Sequence, residues 1–126
     1  MTQENKELLL KDLCARLPYG VKCEVYNCIG VLDEVTTLYG VVVTCSNGPA
    51  MTCRINKCKP YLFPLSSMTE EERIAIGNEF AYGQPYKAMD ILHKRHIDYR
   101  GLIPKGLAND ATGKNIKTIY LNSRSS

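Results

Sequence analysis

The spacing of the apolar residues changes twice along the chain, and this change constrains the fold more than any other feature. Over residues 2–17 leucines recur at helical spacing, with Thr2 placed to cap the helix and Pro18 placed to end it. Over residues 21–59 apolar and polar residues alternate, as half-buried strands require. Helical spacing returns after residue 69. The sequence therefore predicts an α+β protein: one helix, an antiparallel sheet, then two helices.

The alternation also predicts how the strands connect. Residues 29–45 are too long for one strand, so we expect two strands joined by a turn or bulge. After them, a two-residue Asn47-Gly48 hairpin would set Val43 opposite Thr52, apolar against polar. A loop over residues 46–50 would instead set Val43 opposite Cys53. We expect the longer loop, followed by strand 50–56 and then a proline-punctuated crossover, PYLFPLSSM, across an open end of the sheet.

The second half of the chain carries clear helix-start signals. Thr69 followed by Glu72 forms a capping box, which predicts a helix to about Tyr82 with Ile76 and Phe80 facing the core. Pro85 suits the first turn of another helix that ends near residue 96.

A chain of 126 residues has room for one compact domain. We expect a helix over 1–17, a β core over 20–63, two helices over 69–96, and a loop and tail over 97–126. In that tail, Ile116 to Leu121 could add an edge strand, and the last four residues should fray. A small open sheet leaves vulnerable edges, so the β core is expected to be a strongly bent antiparallel sheet or an SH3-like barrel of four to five strands.

Three blocks of the sequence resemble a known group of proteins. They read KELLLKDLCARLPYGV (residues 6–21), KPYLFPLSSMTEEE (59–72) and DYRGLIPKGLA (98–108). Together they resemble an uncharacterised family of short proteins from Bacteroides-type gut bacteria and their phages or mobile elements. The family has no assigned activity, so the resemblance implies a genomic setting and no chemistry. Residues 22–58 depart most from the family pattern.

The sequence gives no sign of export or of a membrane span. No apolar run exceeds three or four residues, against the roughly 20 that cross a bilayer. The amino terminus, MTQENKELLL, has polar and acidic residues where a secretory signal needs a basic segment followed by an apolar run. We therefore expect a cytoplasmic protein without a membrane partner.

The six cysteines are expected to be reduced thiols in that compartment. Cys23-x4-Cys28 and Cys53-x4-Cys58 are spaced at the edge of the range for paired zinc ligands, which usually have two to four residues between them. Cys23, Cys45 and Cys53 also fall on the apolar side of their strands, where a free cysteine acts as a small core residue. We predict no metal and no cofactor; if zinc does bind, its ligands are Cys23, Cys28, Cys53 and Cys58.

The positive charge is concentrated in the last third of the chain. Residues 1–83 hold 8 basic and 10 acidic side chains, whereas residues 84–126 hold 8 basic and 3 acidic, a net charge of +5. Basic side chains around an aromatic ring can neutralise phosphates and stack a base. This description fits a patch that we predict to contact nucleic acid or a protein partner: Lys94, Arg95, His96, Tyr99 and Arg100. His96 also lies where it could satisfy the last carbonyls of its helix.

The sequence contains no motif for catalysis. It has no phosphate-binding glycine loop, no nucleophile elbow and no H-E-x-x-H. We therefore expect a non-enzymatic accessory or protein-interaction module of a phage or mobile element, with an unidentified protein partner. The alternative is a nucleic-acid-binding protein that uses its basic carboxyl-terminal third. The sequence leaves the oligomeric state open.

Overall fold

The computed structural model describes residues 1–36, 38–45 and 48–112. The helices in these ranges are α1 (Gln3–Arg16), α2 (Glu70–Ala81) and α3 (Pro85–Lys94). The strands are β1 (Lys22–Val25), β2 (Cys28–Val35), β3 (Gly40–Cys45), β4 (Ala50–Arg54), β5 (Cys58–Pro64), β6 (Ile97–Asp98) and β7 (Asn109–Asp110). This order of helix, sheet and two helices confirms the α+β class.

Both predicted helix caps are present. The Thr2 hydroxyl accepts a hydrogen bond from the Asn5 amide at 3.1 Å and so begins α1. At the start of α2, the Thr69 hydroxyl accepts from the Glu72 amide at 3.2 Å, and the Glu72 carboxylate accepts from the Thr69 amide at 3.0 Å. Pro85 occupies the first turn of α3, as its fixed φ favours.

The sheet is open, so the barrel alternative is wrong. The predicted antiparallel sheet is confirmed for its main strands, but the sheet has seven strands among the described residues and not four to five. Its strands lie in the order β4-β3-β2-β1-β5-β6, and β7 also pairs with β5. β1 to β5 pair antiparallel, whereas the two-residue strands β6 and β7 run parallel to β5. A barrel would need β4 to pair with β5. Instead, a single 3-10 turn, Ile55–Lys57, joins these two strands, and in the part of the chain that is described β4 has no partner on its outer side.

The main core lies on the inner face of the sheet. Leu9 and Leu13 of α1 are fully buried there, against Val41 and Val43 of β3. The segment after β6, predicted as loop and tail, also belongs to this core, because it contributes three buried residues: Leu102, Leu107 and Ala108. The predicted edge strand over 116–121 and the predicted fraying of the last four residues lie outside the described residues.

Residues 58–64 form strand β5, so the predicted crossover is wrong. Exposure does not alternate along β5, because Pro60, Tyr61 and Leu62 are buried in succession. A strand covered on both faces shows no period of two. Because the segment lacks that period, its two prolines favoured a connecting segment more strongly than its apolar residues favoured a strand.

The strands β3 and β4 keep the predicted parity but not the predicted register. Val43 lies opposite Met51 and Val41 opposite Cys53, and Ala50 is already part of β4. A shift of two residues leaves every side chain on the same face, so hydrophobic pattern alone cannot detect it. The two strands expected within residues 29–45 are confirmed, with a bulge in β2 between Leu32 and Glu34.

Helix α2 contacts the rest of the chain mainly through α3. Ile76 is buried between the two helices as predicted, but Phe80 is 50% exposed, so its predicted core position is wrong. The helix packs mainly on α3, and only a narrow stripe of it is buried. Among the described residues, no helix combines the length and apolarity that crossing a membrane requires.

Gly30 lies where β2 and β3 approach most closely. A Cβ atom at this position would be 2.4 Å from the carbonyl oxygen of Thr44. We expect Gly30→Ala to lower the free energy of unfolding by roughly 1–3 kcal/mol, because the backbone of β3 must move. Gly77→Ala in α2 is the matched control: it meets no atom within 4 Å and should raise stability by about 0.5–1 kcal/mol. Urea denaturation of both variants tests the opposite signs.

Candidate functional site

The structure separates the five residues predicted to form one contact patch. Lys94 is exposed at the end of α3. Arg95 is half-exposed and forms an ion pair with Glu72 of α2, with 2.6 Å between Nη1 and Oε2. His96 is buried and has a φ of 55°, the left-handed conformation common just after a helix. Its backbone N–H donates to the His93 carbonyl at 3.1 Å.

Tyr99 and Arg100, the other two predicted residues, belong to a partly buried cluster that we call the ion-pair centre. It consists of Asp12, Arg16, His93, Tyr99 and Arg100. Arg16 Nε lies 2.8 Å from Asp12 Oδ2, and both side chains are fully buried. Arg100 Nε lies 3.3 Å from the other carboxylate oxygen. One carboxylate therefore serves two guanidinium groups.

The ring of Tyr99 lies between these charges. The guanidinium carbon of Arg16 is 5.5 Å from the ring centroid, and that of Arg100 is 5.0 Å away, so both make cation–π contacts. The Tyr99 hydroxyl is 2.6 Å from His93 Nε2. Burial lowers the pKa of His93, and the nearby Arg16 lowers it further. The imidazole is therefore held in its neutral form next to two cations.

The ion-pair centre joins distant parts of the chain. Arg16 of α1 donates to the carbonyl of Ile97 in β6, and His93 links α3 to Tyr99. The Asp98 carboxylate then accepts the amides of Leu102 and Ile103 at 2.8 and 2.9 Å. These contacts tie α1, α3 and the segment after β6 together, and the one carboxylate of the centre is shared by two guanidinium groups. Arg16 Nη1 is buried without a hydrogen-bond partner among the described residues.

The strongest candidate for a ligand site is instead an open cleft at the gap between β4 and β5. Three depressions of about 340, 250 and 640 Å³ adjoin there, and Asn56 lines all three of them. We call the whole the basic cleft. The residues that define it are Lys6, Tyr26, Leu38, Tyr39, Arg54, Asn56, Lys57 and Lys59.

The cleft is strongly positive. Its lining includes four cations, Lys6, Arg54, Lys57 and Lys59, and one carboxylate, that of Glu24. None of the four cations forms an ion pair with another described residue. Glu24 accepts a hydrogen bond from the Asn109 amide group at 3.0 Å, so it is partly engaged elsewhere. Four cations without an ion pair to a described residue therefore surround one cleft.

The cleft also has an exposed aromatic ring. Tyr26 begins the two-residue turn between β1 and β2, is 57% exposed and has a φ of 52°. Glycine or asparagine normally occupies such a position, because the left-handed conformation destabilises other residues by about 1–2 kcal/mol. Turn propensity therefore does not explain this tyrosine. Across the cleft, the Tyr39 hydroxyl accepts from Gln3 Nε2 at 2.7 Å, and Leu38 beside it is 88% exposed.

The four cysteines named as possible zinc ligands do not converge. Cys23 and Cys58 are hydrogen-bonded neighbours in the core, and this contact together with burial raises the pKa of Cys23 well above its usual value. Cys53 lies close to Cys58, whereas Cys28 contacts Cys45 instead. Across residues 1–36, 38–45 and 48–112, no group of three or more His, Cys, Asp or Glu side chains is placed to hold a metal ion.

Sequence reasoning did not find the basic cleft, although one signal for it was present. Arg54, Lys57 and Lys59 occur within six residues at the boundary of two strands. Lys6 comes from a distant helix, and the net charge of residues 1–83 is negative, which concealed the local excess. Only the packing of α1 beside the Ile55–Lys57 turn brings these charges together.

No family model, curated protein or solved structure matches this chain. The three blocks that carry the resemblance lie on α1, on β5 with the start of α2, and on the segment that follows β6. Their resemblance to the uncharacterised family stays an expectation. The chemistry of the basic cleft is therefore the best guide to function.

The ion-pair centre predicts a large effect of removing its carboxylate. Asp12→Ala leaves Arg16 and Arg100 without their shared counter-charge, and breaking such a buried pair costs about 3–5 kcal/mol. Arg95→Ala removes only a half-exposed partner of Glu72, which should change stability by at most about 1 kcal/mol. Urea denaturation compares the two. Equal effects would mean that the carboxylate is not essential to the fold.

The lowered pKa of His93 predicts a pH dependence of stability. Its pKa is lower in the folded chain than in the unfolded chain, so the unfolded chain binds more protons between the two values. The contribution of His93 is therefore complete above the unfolded pKa of about 6.5 and is lost as the pH falls below it. We expect His93→Gln to show a smaller fall in unfolding free energy between about pH 7 and 5 than the unaltered protein. Parallel curves would contradict this.

Proposed function

We propose that this protein is a non-enzymatic binding module, an accessory protein of a phage or mobile element, that holds single-stranded nucleic acid in its basic cleft. The observation that carries the proposal is the set of four unpaired cations around the exposed ring of Tyr26. Proteins that bind single strands combine a positive groove for the phosphates with aromatic side chains on which bases stack.

The shape of the cleft favours a single strand. It is an open channel along a sheet edge, and no helix among the described residues projects from it into a groove of duplex DNA. A single strand can bend to follow the cations from Lys6 past Arg54 to Lys57 and Lys59. Tyr26 stands at the tip of its hairpin, where an unstacked base can reach it.

The proposal moves the nucleic-acid contact away from the surface that the sequence favoured. There, Arg95 is paired with Glu72, and Arg100 is paired with buried Asp12. The charge of each guanidinium is already shared with a carboxylate, which weakens its attraction for a phosphate. His93 and Tyr99 bond to each other beside two cations, so this pair does not suggest a free acid or base for catalysis.

An acidic protein partner is the second candidate, and Leu38 is the observation that favours it. This side chain is 88% exposed at the rim of a positive cleft. An apolar anchor next to unpaired cations is typical of a surface that contacts a folded or extended protein. Loss of binding in Leu38→Ser, with no change in Tyr26→Ala, would favour this candidate.

Fluorescence anisotropy with a labelled single-stranded oligonucleotide, titrated at several salt concentrations, tests the nucleic-acid proposal. Each phosphate contact on a single strand contributes about 0.7 to the slope of log affinity against log salt. Removing two contacts in the Arg54→Ala/Lys57→Ala variant should therefore reduce that slope by about 1.4. Tyr26→Ala should weaken binding by about 1–3 kcal/mol if a base stacks on the ring.

The matched control is Lys94→Ala/Arg95→Ala, which also removes two positive charges but lies outside the cleft. We expect its salt slope to equal that of the unaltered protein. A reduced slope in the control and an unchanged slope in the cleft variant would return the contact to the surface predicted from sequence. Absence of binding at low salt to both DNA and RNA oligonucleotides would refute nucleic acid as the ligand.

A further inference from the structure

The outer face of α2 carries charge of the opposite sign to the basic cleft. Glu70 and Glu71 are exposed in its first turn, and neither forms an ion pair with another described residue. Ile74 lies four residues after Glu70 and three after Glu71, so the three side chains share one helix face. We call these three residues the acidic stripe.

The contacts that α2 makes within the chain leave the acidic stripe uncovered. Ile76 is buried against α3, and Glu72 forms an ion pair with Arg95, whereas Ile74 is 55% exposed. The helix macrodipole favours acidic residues in a first turn, which accounts for the presence of Glu70 and Glu71. It does not supply either carboxylate with a side-chain counter-charge.

The basic cleft has the complementary chemistry. Its four cations form no ion pair with a described residue, and Leu38 at its rim is 88% exposed. Each of the two surfaces therefore combines charge of one sign with one exposed branched aliphatic side chain, Leu38 in the cleft and Ile74 in the stripe. Complementary charge steers two surfaces together and fixes their register.

The two surfaces lie toward opposite ends of β5. Lys59, near the start of this strand, lines the cleft, whereas Phe63, near its end, packs in the cluster that contains Ile76 of α2. Four residues of strand span about 13 Å. None of the residues that line the cleft belongs to α2. In this fold α2 does not reach the cleft of its own chain, so a contact between the two surfaces joins two copies.

We propose that the acidic stripe of one copy docks in the basic cleft of a second copy, so that the chains associate head to tail. Glu70 and Glu71 meet the cations of the cleft, and Ile74 packs beside Leu38. A helix face laid in a groove is a common mode of protein recognition. The interface is heterologous, so each pair keeps one unused cleft and one unused stripe and can add further copies.

A symmetric dimer through the open edge of β4 is the competing arrangement. Pairing β4 with β4 of a second copy would bring two sets of Arg54 and Lys57 to one interface. Like charges juxtaposed at an interface are unfavourable. The charges of this chain therefore favour the head-to-tail contact over the symmetric one.

The head-to-tail contact would also regulate the cleft, a consequence that rests on the proposed nucleic-acid function. The carboxylates of Glu70 and Glu71 would occupy the part of the cleft that phosphates need, so a docked copy and a single strand exclude each other. A single-stranded oligonucleotide should therefore separate associated chains, and association should weaken oligonucleotide binding at high protein concentration.

Sedimentation velocity of the full chain, without nucleic acid, tests the contact. At low salt we expect the average mass to rise with concentration beyond that of a dimer, and to fall as added salt screens the charges. Glu70→Gln/Glu71→Gln and Arg54→Ala/Lys57→Ala should each raise the Kd of self-association by about tenfold or more. The matched control Asp33→Asn/Glu34→Gln removes the same charge from exposed positions of β2 and should not weaken the association.

Mixing the two double variants distinguishes a head-to-tail interface from a symmetric one. The first variant keeps an intact cleft and the second an intact stripe, so an equimolar mixture has one functional interface per pair of chains. We expect association to return in the mixture and to stop at a heterodimer. The proposal is overturned if the mixture stays monomeric while the unaltered chain associates, or if the unaltered chain is a monomer up to about 1 mM.

The same measurement with a single-stranded oligonucleotide separates this proposal from the nucleic-acid function. If the oligonucleotide binds and lowers the mass of the associated chains, competition for the cleft is supported. If it binds and leaves that mass unchanged, regulation by the stripe is overturned. If the chains associate and no oligonucleotide binds, the nucleic-acid function fails and the head-to-tail contact is supported on its own.

Discussion

The buried ion pair between Asp12 and Arg16 is the interaction on which the arrangement of the molecule depends. Two charges removed from water are costly unless every hydrogen-bonding group finds a partner, so the pair fixes its surroundings. Arg16 requires the Ile97 carbonyl, and Asp12 requires Arg100. These contacts hold α1 against the segment that starts at β6, in addition to the two short strands of that segment and its three buried apolar residues. The hydrophobic core beneath α1 supplies most of the stabilising burial, whereas the ion pair fixes the orientation of α1.

That orientation also shapes the basic cleft. With its last turn anchored at Arg16, α1 directs its first turns toward the turn between β2 and β3, where Gln3 bonds to Tyr39 and Lys6 lines the cleft. The same anchor also holds Arg100 next to the Asp12 carboxylate. Formal charge along the sequence is thus a poor guide to the field outside the protein, because burial and pairing decide which cations remain available to a partner.

Local signals in the sequence were sufficient for some elements and not for others. Thr2 and Thr69 reveal the helix starts because their hydrogen bonds span only three residues. The parity of β3 and β4 was likewise readable, but their register was not, since a shift of two residues conserves every face. Strand β5 was missed because it is covered on both faces. The cleft was missed because its members come from elements far apart in the sequence.

The open edge of β4 raises a competing explanation for the basic cleft. Charged residues commonly protect an exposed strand edge from pairing with another chain, and Arg54 and Lys57 lie where they would do so. Edge protection explains charge of either sign, however, and it does not explain an exposed tyrosine in left-handed geometry at the tip of a neighbouring hairpin. Nor does it explain why Lys6 and Lys59, from two other elements, add the same sign of charge. At this gap the sheet stops short of closing into a barrel. Cations surround the gap, and one aromatic ring on a strained backbone projects beside it. These are the properties of a binding surface.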